Sequence, residues 1–154
     1  MINIRKSNKV DENTLDNIKI LQQLKENIRE VKKCYSEMSR DKMANYVREI
    51  CQTLDLIAKE VALNQHKISN INLLIKYYLP VLIKMLQQYI NIKNNKLAGA
   101  SFDEINQAVE DMLPKIQQAF KALLNKLFSD ENDDIDVAVK VMMSEFNRRG
   151  LLDD

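Results

Sequence analysis

The chain has 154 residues, a net charge of +1, two glycines, two prolines and no tryptophan. Its 23 Lys+Arg and 22 Asp+Glu are interleaved, which excludes the concentrated basic face that holds a phosphate backbone, and the scarcity of aromatics excludes base-stacking platforms. So few turn residues exclude a many-stranded sheet and leave long helices with short connections, in one domain large enough to bury a core.

Residues 1–13 read as a polar arm, and 14–150 as one all-α domain, an antiparallel bundle of about five helices. Within it, 14–66 form a long helical hairpin and 67–150 a helical core. The first helix starts near Thr14. Its apolar residues Leu21, Leu24, Ile28, Val31, Tyr35 and Met38 alternate three and four apart, a heptad seam. Ser39 and Asp41 offer side-chain acceptors for a cap, so the helix breaks there. The second helix repeats the device with Met43, Val47, Ile50, Leu54, Ile57 and Val61, and fades at Asn64–His66. Two such seams joined by a short connection form an antiparallel hairpin. Seams of this length could also pair between chains as a coiled coil, so a homodimer is one expected assembly.

Ile71–Ile92 is the most apolar stretch, entered near Ser69. Ile71, Ile75, Tyr78, Leu82, Met85, Tyr89 and Ile92 make one seam, and further apolar residues cover other faces. Its neighbours should therefore close over it as a central helix. Pro80 lacks the N–H that would reach the Lys76 carbonyl, and its ring crowds that oxygen, so a kink is expected with the seam in phase on both sides. The stretch is long enough to span a bilayer, but Lys76 and Lys84 interrupt it. A lysine near a span's centre costs about 2.5–3.5 kcal/mol, so no membrane span is expected.

Gly99 marks the next loop. Ser101 followed by Glu104 has capping-box spacing, with Ala100 and Ile105 as a weak staple. The fourth helix carries Ile105, Val109, Met112, Ile116, Phe120, Leu123 and Leu127, and Pro114 should kink or divide it. An acidic connection, Asp130–Asp134, precedes a last helix with Ile135, Val139, Met142 and Phe146 inward. Arg148 and Arg149 lie in its final turn and Gly150 is its stop.

Little of this sequence carries chemistry. One histidine, His66, excludes a two-histidine zinc site and weakens any histidine-based triad; at a helix connection it reads as a cap or surface residue. Cys34 follows Lys32 and Lys33, which favour a thiolate, but no glycine-rich loop follows either Cys34 or Cys51. Both read as reduced core thiols of a cytoplasmic protein, and residues 1–14 lack a signal peptide's apolar run. Asp134-x-Asp136 resembles an aspartate-nucleophile motif but follows no buried strand. Asp130, Asn132 and Asp134 alternate like a calcium loop, yet Ile135 stands at the glycine position and Val141 at the final glutamate. This acidic cluster is the weakest of the candidate sites. No cofactor and no dedicated metal site are expected, and no catalytic residue is assigned. The seven methionines fall mostly on seams as core filler. Tyr77, Tyr78 and Tyr89 suit a core with hydroxyls reaching partners, or the lining of a groove at Pro80.

The run Tyr77-Tyr78-Leu79-Pro80, continuing through Val81–Leu86 to Tyr89, resembles the XpaC-like family, named for hydrolysis of 5-bromo-4-chloroindolyl phosphate. Ala119-Phe120, Leu123-Leu124, Lys126-Leu127-Phe128, Asp134, Asp136-Val137 and Gly150-Leu151 agree with it. The similarity covers Ile71 to Leu151, with the first hairpin matching in helical character. In that family threonines usually follow the proline, where this chain has Val81 and Leu82. Many relatives carry N-terminal membrane segments, and residues 1–13 offer no such apolar run. The resemblance implies a bacterial, all-helical cytoplasmic domain found with toxic-anion (tellurite) resistance proteins of the TelA type. It carries over no catalytic residues. The reading is a non-enzymatic interaction or scaffold protein, whose partner would be a protein and not a nucleic acid. A phosphate-ester hydrolase or a small-molecule-binding bundle are the alternatives.

Overall fold

The computed structural model describes the backbone of residues 2–129 and of 141, 144, 145, 147 and 148, with side chains from Thr14 onward. No strand occurs among the described residues; the fold is an all-α bundle. Helix α1 spans Ile2–Glu37, α2 Lys42–Leu63, α3 Leu79–Asn94 and α4 Ala100–Ser129. A 3-10 segment, Gln65–Ile71, and a π-turn, Leu74–Tyr78, lead into α3. The backbone of the polar arm is helical and continuous with α1, so this helix starts at Ile2 and not near Thr14. Residues 141, 144, 145, 147 and 148 are helical. The inward positions expected at Ile135, Val139, Met142 and Phe146, and the stop at Gly150, lie outside the described residues.

The seams make the core. Leu24, Ile28, Val31 and Met38 of α1 are buried, as are Val47, Ile50, Leu54, Ile57 and Val61 of α2. Val109, Met112, Ile116, Phe120, Leu123 and Leu127 of α4 join them in one cluster. Contacts run from Lys32–Asp55 (3.0 Å) near the α1–α2 turn to Asn17–Gln65 (3.2 Å) at the other end, so the two helices run in opposite directions. α2 packs on α4, α1 on α3 and α3 on α4, giving the cyclic order α1–α2–α4–α3. Ile71, Ile75, Tyr78, Leu82, Met85, Tyr89 and Ile92 are all buried. The stretch is nevertheless not enclosed: Lys76, Tyr77, Pro80, Lys84, Gln87 and Asn91 form an exposed edge. Four helices contribute to the core, and each keeps one side in water.

Local chemistry sets the ends. Asp41 caps α2, its carboxylate accepting from the Met43 and Ala44 N–H groups at 3.0 and 3.1 Å. α3 stops with Lys96 in the left-handed region (φ 52°) and a Leu97 N–H to Ile92 carbonyl bond of 3.0 Å, a Schellman closure. α4 begins two residues earlier than the capping-box reading requires. Gly99, at φ 131°, accepts from the Asp103 N–H at 2.9 Å, which puts Ser101 inside the helix. A glycine can hold that φ where an L side chain cannot, so the backbone and not Ser101 fixes the start. Pro114 is accommodated within a continuous α4.

Pro80 acts through a π-turn. The Leu79 N–H bonds the Leu74 carbonyl, one residue beyond the α register. This diverts the donor that would serve the Ile75 carbonyl in an α-helix, and the next donor along, at Pro80, does not exist. The orphaned Ile75 oxygen is taken instead by Asn27 Nδ2 of α1 at 3.0 Å. Asn27→Ala should cost about 1–3 kcal/mol, the range for leaving a part-buried acceptor unsatisfied. The loss should shrink in a Pro80→Ala background, which returns an N–H to the turn; urea denaturation of the four proteins reads this coupling.

Candidate functional site: a polar cleft beside the π-turn

The residues singled out by sequence separate in space. Tyr78, Leu79 and Tyr89 are buried in the core, while Tyr77 is 56% exposed and Pro80 lies on the outer edge. The tyrosine run therefore does not line one groove. Tyr78 and Leu79 are buried in packing, and of this stretch Asn72 and Lys76 line the cleft described below. Tyr89 Oη donates to the Glu110 carboxylate at 3.3 Å, and Lys93 lies 3.8 Å from the same carboxylate and 5.5 Å from the Tyr89 ring centre. Burial, then the Glu110 charge, push the Tyr89 hydroxyl's pKa up, so it remains a phenol. Asp130, Asp134 and Asp136 lie outside the described residues. Among the described residues no three His, Cys, Asp or Glu side chains gather where a metal could be held.

The thiols lie in the core, as their place within the helical patterns implied. Cys34 and Cys51 are buried and unbridged. Burial raises each to about 11, with Glu37 and Glu30 adding to the effect at Cys34, and outweighs Lys33 at Cys34 and Lys32 at Cys51. Neither is a nucleophile near neutral pH. Because each native thiol holds its proton more tightly than the unfolded chain's thiol of 9.0, their contribution to stability is whole below pH 9. It is lost as pH rises from there through 11. The urea midpoint should fall over this window, and fall less in Cys34→Ala/Cys51→Ala.

A cleft of about 540 Å³ opens between α1 and the 3-10 segment. Asp16, Asn17 and Ile20 of α1 form one wall; Gln65, His66, Ile68 and Ser69 of the 3-10 segment form the other, with Asn72 and Lys76 beyond. Three residues per turn make i and i+3 eclipse in a 3-10 helix, so His66, Ser69 and Asn72 follow one another along the cleft. In a regular α-helix the same residues would fan apart. Asn17 donates to Gln65 Oε1 across the cleft at 3.2 Å. Among the described residues Asp16, His66, Ser69, Asn72 and Lys76 have no hydrogen-bonding or ion-pair partner. His66 is thus an exposed member of a polar row and caps no helix. Sequence reasoning missed this row because it ended one helix at Asn64–His66 and began the next near Ser69, which split the row; three-residue spacing of polar side chains from His66 was the available signal.

A second, apolar cleft of about 200 Å³ lies between α2 and α4. Leu56, Leu63 and Phe128 stand 48, 73 and 59% exposed there, beside Lys59 and the buried Glu60. Under it, Lys67, 6% exposed, donates to the Leu127 carbonyl in the last turn of α4 at 2.5 Å and lies 3.6 Å from Glu60. Asn64 Nδ2 donates to the same Glu60 carboxylate at 2.5 Å.

These features define a small all-helical bundle protein with a polar cleft at one end and no gathered catalytic constellation among its described residues. No described helix is long and apolar enough to cross a membrane. The family model of the 5-bromo-4-chloroindolyl phosphate hydrolysis protein matches residues 4–142, and the chain belongs to that family. The match takes in the first hairpin as well as the tyrosine–proline run. No curated protein and no solved structure matches the chain.

Proposed function

We propose that the protein is a non-enzymatic helical interaction module serving toxic-anion or envelope-stress resistance, with a TelA-type resistance protein as its partner. The observation that supports this is the apolar cleft of Leu56, Leu63 and Phe128, exposed on a bundle whose thiols and Tyr89 are buried and protonated. Side chains of this size exposed together are the material of an interface centre. The test is co-purification with a TelA-type protein. Leu63→Lys with Phe128→Lys should abolish the complex and leave the helical circular dichroism intact. A compact monomer at high concentration that forms no complex would overturn the reading.

The family description favours a second reading, a phosphate-ester hydrolase, and the cleft with His66, Ser69 and Lys76 is where a phosphate would sit. Purified protein with the indolyl phosphate and Mg²⁺, Mn²⁺ or Zn²⁺ decides it. Turnover that falls at least tenfold in His66→Ala, or in Asp134→Asn with Asp136→Asn, would move the assignment to catalysis.

A further inference from the structure

The polar cleft has a direction. The Asn17–Gln65 and Asn27–Ile75 hydrogen bonds fix how α1 lies against the 3-10 segment and the π-turn. They stand about 15 Å apart along α1, at about 1.5 Å per residue. Asp16 belongs to the first level. Lys76 belongs to the second and lines the same cleft. The cleft therefore carries a carboxylate at one end and an ammonium at the other, and neither has a partner among the described residues. Between them lie the carboxamides of Asn17, Gln65 and Asn72 and the hydroxyl of Ser69, with Ile20 and Ile68 as the apolar surface.

We propose that this cleft binds a short free peptide of two or three residues. A simple oxyanion would satisfy Lys76 but would face Asp16. An amino acid satisfies both charges only if they are adjacent, and here they are separated by several side chains. A peptide with free termini places its ammonium on Asp16 and its carboxylate on Lys76. Its backbone N–H and C=O groups meet carboxamides, which offer a donor and an acceptor each. The 540 Å³ volume falls within the range of small-ligand sites. Both walls are open to water, so affinity is weak and discrimination between ligands is the meaningful readout.

The experiment is an amide-resolved NMR titration of the full chain with Ala-Ala-Ala, its N-acetyl form, its C-terminal amide and inorganic phosphate. The free tripeptide should shift residues 16–20 and 65–76, and blocking either terminus should weaken binding at least fivefold. Asp16→Asn should erase the preference over the acetylated peptide alone, and Lys76→Met the preference over the amidated peptide alone. Both side chains are exposed, so neither change disturbs packing. The proposal is overturned if the tripeptide causes no localised shift at about 10 mM, about tenfold above a Kd of 1 mM. It is also overturned if blocked and free peptides bind alike, or if phosphate binds in the cleft and the peptide does not.

Discussion

Lys67→Met is expected to lower the unfolding free energy by about 3–5 kcal/mol, the cost of breaking one partner out of a buried ion pair. Lys67 and Glu60 are 6 and 8% exposed. The ammonium also donates to the Leu127 carbonyl of α4. Without it, Glu60 retains only the Asn64 amide among the contacts described above, in a place with little water to screen its charge. Glu60→Leu combined with Lys67→Met should recover most of the loss, because an apolar pair of similar volume carries no desolvation cost. Chemical denaturation of the native protein, the single variant and the double variant gives the three numbers. A single variant within about 1 kcal/mol of native would mean that water reaches the carboxylate and that the end of the bundle is looser than described.

Phe120→Ala is expected to cost about 3–5 kcal/mol, the range for deleting a buried ring from a packed core. Phe120 is 1% exposed and among the largest fully buried side chains. It lies on the α4 seam, in the helix pair with the most extensive contact, α2 on α4. Phe120→Leu should cost much less, since most of the volume remains. The urea midpoint should fall with an unchanged slope if the bundle still unfolds as a unit. A lowered slope would show α4 detaching before the rest.

The seams were legible because burial on one side of a helix repeats near every three and a half residues, and Val47, Ile50, Leu54, Ile57 and Val61 obey this without interruption. The Asp41 cap was legible for a local reason, since a carboxylate two and three residues ahead of free N–H groups acts within one turn. What could not be read was non-local. Lys67 looks like a polar residue in a connection, and it is buried only because Leu127, 60 positions away, is folded over it. The polar cleft depends on the 3-10 form of Gln65–Ile71, which begins where Asn64 leaves helical geometry (φ −127°, ψ 76°). The expectation of an enclosed central helix failed on proportion. Ile71–Ile92 is richer in apolar residues than its neighbours, but four helices arranged in a ring leave none at the axis.

The widened turn before Pro80 has a consequence for descent. A π-turn fits one more residue than an α-turn into the same advance along the axis, so a one-residue insertion here would leave the packing on either side in register. Relatives with a regular α-turn before this point should be shorter by one position between the counterparts of Asn72 and Leu82. They should also be free to vary at the counterpart of Asn27, which would have no stranded oxygen to serve.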